Sequence, residues 1–400
     1  MTQTLDRGID RRWSIVAIAL VLSVFSQFAP AMADLAANVN LDKVDPALVA
    51  TFLDSPSERV SVIVGKSDSS DTSLETAVTK TGGSVLKPLF IVNGFEAVIP
   101  ARSVPDLAAD PNLRSLSVNR TGTFESVSYD AANVASSAPK STGAMQLWAQ
   151  GNLGAGVGIA VIDTGISPMN DFNARGVRLV HGPDLSGEGS TIDSYGHGTV
   201  MAGIIAGDGY DSASSTGGAY VGQAPEATLI SVKVAGANGA ADVSTVLAAM
   251  HWVAAYRDQY NIRVMNLSWG TESTQSYKID PLNYAVERLW QLGITVVVSA
   301  GNGGPNAGTI NKPGDDPFVI TVGGYDDKGN TNVSDDTLPQ WTSRGPTLAD
   351  GINKPDVVAP GRRIIGPRSY GSTIERENPK ALYAPSYIRG SGSSQAAAAA

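Results

Sequence analysis

The alternation of apolar and polar positions divides the chain into two patterned zones. In the first, from about Arg59 to Phe124, the runs Val60–Val64, Ser84–Val92, Phe95–Ile99 and Leu113–Val118 read as strands. Between them, Ser73–Thr81 and Val104–Asp110 carry helical spacing, with Ser73 as the expected cap. Asn93-Gly94 separates two of the runs and is a hairpin signal. The order β-α-β-β-α-β predicts a small α+β unit of ferredoxin-like type. Residues 125–140 are rich in Ser and Ala, lack periodicity and read as an exposed linker.

In the second zone, from Ser141 onward, apolar runs alternate with helices. The runs are Val157–Ile162, Leu229–Val234, Val264–Leu267, Ile294–Ser299, Phe318–Val322 and Val357–Val358. The clearest helices are Val243–Tyr260, with Asp242 as N-cap, and Pro281–Leu292, with Pro in its first turn. Strands this continuously apolar are buried on both faces. The expected fold class is therefore α/β: a mostly parallel sheet with helices on both faces, preceded by the small α+β unit. In such sheets functional groups gather at the carboxyl ends of the strands.

That rule selects residues. One strand ends at Asp163-Thr164-Gly165, another at Ser268-Trp269-Gly270, a third at Ala300-Gly301-Asn302-Gly303. In isolation Asp163 and Asn302 read as turn residues. The chain has 3 His. His181 lies in a polar loop and His251 in an apolar helix, whereas His197 stands between glycines at the head of a small-residue helix, "GHGTVMAG". Near the end, "GSGSSQAAAAA" places Ser393 and Ser394 where a helix begins. A serine hydroxyl needs a base and an orienting acid to become a nucleophile, and helix N–H groups to stabilise the oxyanion.

Composition narrows the picture further. The 400 residues suffice for one large and one smaller domain, and 42% hydrophobic content is that of a globular chain. A net charge of −9 argues against nucleic acid as a partner. The absence of Cys excludes disulfides, thiolate metal sites and a thiol nucleophile. At the N-terminus, Arg7, Arg11 and Arg12 precede the apolar run Trp13–Phe25 and the small-x-small site Ala31-Met32-Ala33. This predicts a signal peptide over 1–33, with an uncleaved anchor as the alternative.

The order Asp163, His197, Ser394 is that of subtilisin-type triads rather than of chymotrypsin or α/β-hydrolases. The blocks Ile159–Ile166, Gly196–Thr199, Ser299–Asn302 and Gly392–Ala398, supported by Trp341–Pro346 and Lys354–Gly361, resemble those of subtilisin-like serine proteases. The resemblance covers Ser141 to Ala400. It implies Ser394 as nucleophile, His197 as base, Asp163 as orienting acid, and Asn302 in the oxyanion hole. Ser268, Trp269, Gly270, Ala300 and Gly301 would bind substrate, and Trp269 would favour large apolar side chains nearby. Alignment on Gly392 and Ala396-Ala397 favours Ser394 over Ser393.

The resemblance further implies a zymogen: signal peptide 1–33, N-terminal pro-segment 34–58, inhibitory propeptide 59–124, linker 125–140 and peptidase domain 141–400. Processing is expected between about Asn119 and Lys140. Partners would be polypeptide substrates and the chain's own propeptide, and the location secreted, extracellular or in the cell envelope. A membrane enters only through an uncleaved signal or a C-terminal anchor. The chemistry requires no cofactor; structural calcium is allowed, with Asp208–Asp211, Asp315-Asp316 and Asp326-Asp327 as acidic loops, which also read as solvated turns. The chain is expected to stop short of the domain's C-terminal part. The competing readings are an inactive peptide-binding protein on the same fold, an inactive truncated fragment, and a sedolisin-like hydrolase, which His197 disfavours.

Overall fold

The computed structural model describes residues 41–124, 128, 138–216 and 220–400. The expected signal peptide and most of the linker lie outside the described residues.

The first zone is a four-stranded antiparallel sheet of order β2-β3-β1-β4. Its strands are β1 (Arg59–Lys66), β2 (Ser84–Leu89), β3 (Gly94–Pro100) and β4 (Leu113–Val118). The helices Ser73–Lys80 and Val104–Ala108 follow β1 and β3, giving the ferredoxin-like connectivity. Successive side chains of a strand point to opposite faces. Val62 and Val64 therefore join Leu74, Val78 and Leu107 in the unit's own core, while Ile63 joins the core of the second zone. The helix Pro46–Asp54 belongs here too, because Leu48 and Val49 pack into the same core. The unit thus begins before Arg59.

The hairpin at Asn93-Gly94 is looser than its dipeptide suggested. β2 stops at Leu89, a 3₁₀ turn spans Phe90–Val92, and Asn93 takes the left-handed conformation at φ 46°. The reason is burial. Leu89, Ile91 and Val92 turn into the second zone's core instead of extending the ladder. The helix cap differs as well: Thr72 precedes the helix and Ser73 is its first residue.

The second zone is built on a seven-stranded sheet of order β13-β12-β11-β10-β6-β8-β7. Its strands are β6 (Gly158–Asp163), β7 (Leu179–Asp184), β8 (Thr228–Lys233), β10 (Ile262–Leu267), β11 (Thr295–Ser299), β12 (Ile320–Tyr325) and β13 (Val357–Pro360). All neighbouring pairs are parallel. Along β6, Ala160 and Ile162 face the helices Val243–Tyr256 and Pro281–Gln291. Ile159 and Val161 face the helices His197–Ala206 and Ser393–Ala399. The last helix is buried along its whole length, and alanine is what lets it lie close: Ala396 leaves a Cβ added at Gly361 only 3.2 Å. The first of these helices stops at Tyr256, short of the expected Tyr260. No helix among the described residues is long and apolar enough to cross a membrane.

Between the two zones, β5 (Thr121–Thr123) pairs antiparallel with β9 (Ala240–Asp242), which leads into the Val243 helix. That helix is capped from outside. Asp242 makes no cap bond to it; its carboxylate accepts from the Thr121 hydroxyl instead. Asn119, of the first zone, accepts from Ser244 N at 3.0 Å in its place. The Pro281 helix is self-sufficient: its N-cap Asp280 accepts from Leu282 N at 2.8 Å.

Candidate active site

β6 lies inside the sheet, with β8 on one side and β10 on the other. The carboxyl ends of these strands form the crevice in which an α/β sheet presents its chemistry. Asp163, fully buried, ends β6. Its Oδ1 and Oδ2 lie 2.8 and 3.0 Å from His197 Nδ1. Thr164 N donates to the same Oδ1 at 2.8 Å, which holds the carboxylate in place.

The two glycines of Gly196-His197-Gly198 are required by this contact. Gly196 enters the helix at φ 110°, a region that favours glycine. A Cβ at Gly198 would lie 2.1 Å from the Gly165 carbonyl and 3.1 Å from Asp163. Any side chain there would push the helix, and His197 with it, away from the strand end.

A further acid braces this junction. Asp193 is buried, with Oδ1 accepting from Thr164 Oγ1 (2.7 Å) and Gly196 N (2.6 Å). Its Oδ2 accepts from Thr199 N (2.8 Å) and Thr199 Oγ1 (2.7 Å). Burial pushes its carboxyl up to about 6 against the pull of these donors. Sequence reasoning passed over Asp193; its signal was an acid four residues before the selected His, in "DSYGHGT".

Ser394 is the second residue of the buried terminal helix. Its Oγ donates to Ser268 O at 3.3 Å, and Ser268 Oγ donates back to Ser394 O at 3.3 Å. His197 Nε2 has no hydrogen-bond partner among the described residues. The Asp–His link is therefore made, and the His–Ser link is not. Asn302 Oδ1 accepts from Ser393 N at 2.9 Å, which fixes the orientation of its amide. Ser393 Oγ accepts from Gly301 N at 3.2 Å.

Ser268, Trp269, Gly270, Gly301, Asn302 and Ser394 all line one cleft of about 590 Å³. Ala300 is fully buried behind it, its N–H on Val322 O. The cleft is already threaded by the chain itself. β5 lies in it, with Thr123 bridged to Gly270 on one side and paired with Ala240 on the other. Phe124 N donates to Gly239 O at 2.7 Å, and its buried ring stands 5.7 Å from His197 and 6.4 Å from Trp269.

Among the described residues no group of three or more His, Asp or Glu is placed to hold a metal. The acidic loops named for calcium carry protein cations: Asp326 pairs with Lys328, Arg362 and Arg363, Asp315 with Lys312, and Asp208 with Arg178.

A parallel α/β sheet with an Asp–His pair and a helix-borne serine at its carboxyl edge defines the subtilisin type of serine-hydrolase fold. The sequence profile of the subtilase family matches residues 154–400, and the chain belongs to that family. It is similar to serine protease AprX of Bacillus subtilis (strain 168), 38% identical over 249 residues, covering 61% of this chain and 54% of that protein. It is also similar to subtilisin Savinase of Lederbergia lenta, 36% identical over 204 residues, covering 51% of this chain and 67% of that protein. The alkaline protease of Alkalihalobacillus alcalophilus is 34% identical over 204 residues, 51% of this chain and 47% of that one. The chain thus spans about half to two thirds of the length of these curated relatives.

Proposed function

We propose that the chain is an exported serine endopeptidase made as a zymogen, with its N-terminal unit as inhibitory propeptide. The observation that carries this reading is the occupation of the cleft by the chain's own residues 121–124. Phe124 reaches the cleft beside His197, while Ser128 lies beyond it, exchanging hydrogen bonds with Ser391 (2.8 and 3.4 Å). Ser391 stands three residues before Ser394, so Ser128 is tied to the segment that carries the proposed nucleophile. Within the expected range of about Asn119 to Lys140, we place processing at the bonds between Phe124 and Ser128.

In the reaction, Ser394 Oγ attacks the peptide carbonyl as His197 Nε2 takes its proton. Asp163 holds the imidazole by Nδ1 and stabilises its cation. The Asn302 amide and the Ser394 N–H receive the developing oxyanion. His197 returns the proton to the leaving amine, and an acyl-enzyme ester remains on Ser394. Water, deprotonated by His197, then attacks the ester and releases the acid. Substrate binds as an extended strand between Ala240–Asp242 and Ser268–Gly270, where β5 now lies. The peptidase domain, 141–400, begins in space slightly earlier, since Ala138 is already in its core.

A fluorophosphonate probe should label the processed protein at Ser394 and fail to label Ser394→Ala. N-terminal sequencing of the active form should start between Glu125 and Ser128. A start near Asp34 in active enzyme would refute the zymogen reading. The alternative, an inactive peptide binder, draws on the Ser394 hydroxyl facing Ser268 rather than His197; it predicts a folded chain that binds peptides and takes no label.

A further inference from the structure

β5 shows what the cleft accepts. Its side chains alternate: Thr121 and Thr123 face solvent, while Gly122 and Phe124 face inward. The two inward positions are treated in opposite ways. Phe124 is given a full enclosure between His197 and Trp269. At Gly122 there is no room at all. A Cβ there would meet the Gly270 carbonyl oxygen at 2.5 Å and the indole carbons of Trp269 at 2.7 Å. Both distances are below any that real Cβ contacts tolerate. Trp269 cannot swing clear, because it is 1% exposed and belongs to the same buried cluster as Ala241, Val243, Val246 and Leu247.

Resting on the peptidase reading above, we propose that Trp269 makes the enzyme selective for glycine two residues before a large apolar residue. The indole fills the space a side chain at the Gly122 position would need. The ring instead offers its surface to the Phe124 position, so one residue closes one subsite and furnishes the next. This makes the expectation that Trp269 favours large apolar neighbours more specific: it would favour one and exclude the other.

The test uses the full chain and its own processing as the first readout. Gly122→Leu should slow the appearance of the processed form about tenfold or more, since side chains forced into filled apolar sites are rejected on that scale. Gly122→Ala should show a smaller delay. In the Trp269→Ala background the Gly122→Leu delay should shrink severalfold, because the two indole contacts are gone while the Gly270 carbonyl at 2.5 Å remains. The same substitutions in Ser394→Ala chains, compared by thermal melting, separate slow processing from failure to fold. The second readout avoids folding altogether. Peptides with Gly, Ala or Leu two residues before Phe are offered to the processed wild-type enzyme, and the Gly peptide should have the highest kcat/KM by about tenfold or more over Leu. Trp269→Ala should shrink that preference severalfold. Equal cleavage of the Gly and Leu peptides by enzyme that takes the fluorophosphonate label would overturn the inference and leave the peptidase reading intact. A wild-type chain that neither processes nor labels would sink both.

Discussion

The two halves of the site are held by different kinds of force. On the Asp163–His197 side, position is set by backbone: a strand end, a left-handed Gly196 and a Gly198 packed so close to the Gly165 carbonyl that an added Cβ would lie 2.1 Å from it. On the Ser394–Asn302 side, the Asn302 amide is anchored to Ser393 N, but the proposed nucleophile, Ser394, is a hydroxyl on a single rotor that points to Ser268 O. The first half is assembled before any substrate arrives. The second needs only a torsion to change, which costs far less than moving a helix. Catalytic readiness in this fold is thus a property of the scaffold for the base and of one side-chain rotor for the nucleophile.

Perturbing the braced half should therefore hurt more per atom changed. Asp163→Asn keeps the shape but reverses one hydrogen-bonding group against His197 Nδ1. Its kcat should fall about 10⁴-fold, a figure carried over from the same Asp-to-Asn change in a chymotrypsin-type triad. Burst kinetics with an ester substrate would measure it, and a loss under tenfold would mean His197 is held by something else. Asn302→Ala leaves the triad untouched and removes one oxyanion donor. About 10²–10³-fold in kcat is expected, the scale subtilisin supplies, with KM little changed.

Asp193→Asn sharpens the comparison at smaller scale. It puts an N–H₂ where donors already point, so the Thr164–Gly198 junction should loosen and kcat/KM fall by up to about a hundredfold. The effect runs through His197 placement, so the pH profile should change shape rather than only height. The stability readout has a sign. Burial raises the folded carboxyl from 3.8 to about 6, so the folded chain holds this proton more tightly than the unfolded one. That contribution is complete below about pH 4 and lost as pH rises through about 6. The variant lacks the titration, so the gap in melting temperature between the two should narrow over that range. A pH-independent gap would count against the assignment.

Much of this arrangement was legible in the chain. The β6 run and the Gly-flanked His197 announced themselves because buried parallel strands are continuously apolar and because glycine marks close approach. The parts that were not legible depend on distant partners. Asp242 looked like the cap of its helix, yet Asn119, 125 residues from Ser244, does the work. Phe90–Val92 read as strand because apolar runs carry no sign of which core will claim them. Asp193 drew no reading at all, since nothing local shows that four donors converge on it.

One feature of the cleft carries a broader consequence. β5 fills the gap between the Ala240–Asp242 edge and Gly270 as the middle member of a three-stranded ribbon. When it leaves, two backbone edges face each other across a space one strand wide. They are too far apart to pair with one another, since neighbouring strands sit about 4.8 Å apart and the vacated slot is about twice that. Unpaired edges recruit any extended chain within reach. On the zymogen reading proposed above, the processed enzyme would be a permanently incomplete sheet, with guard and prey competing for the same vacancy. What distinguishes them is whether the strand that completes the sheet stays behind once cut.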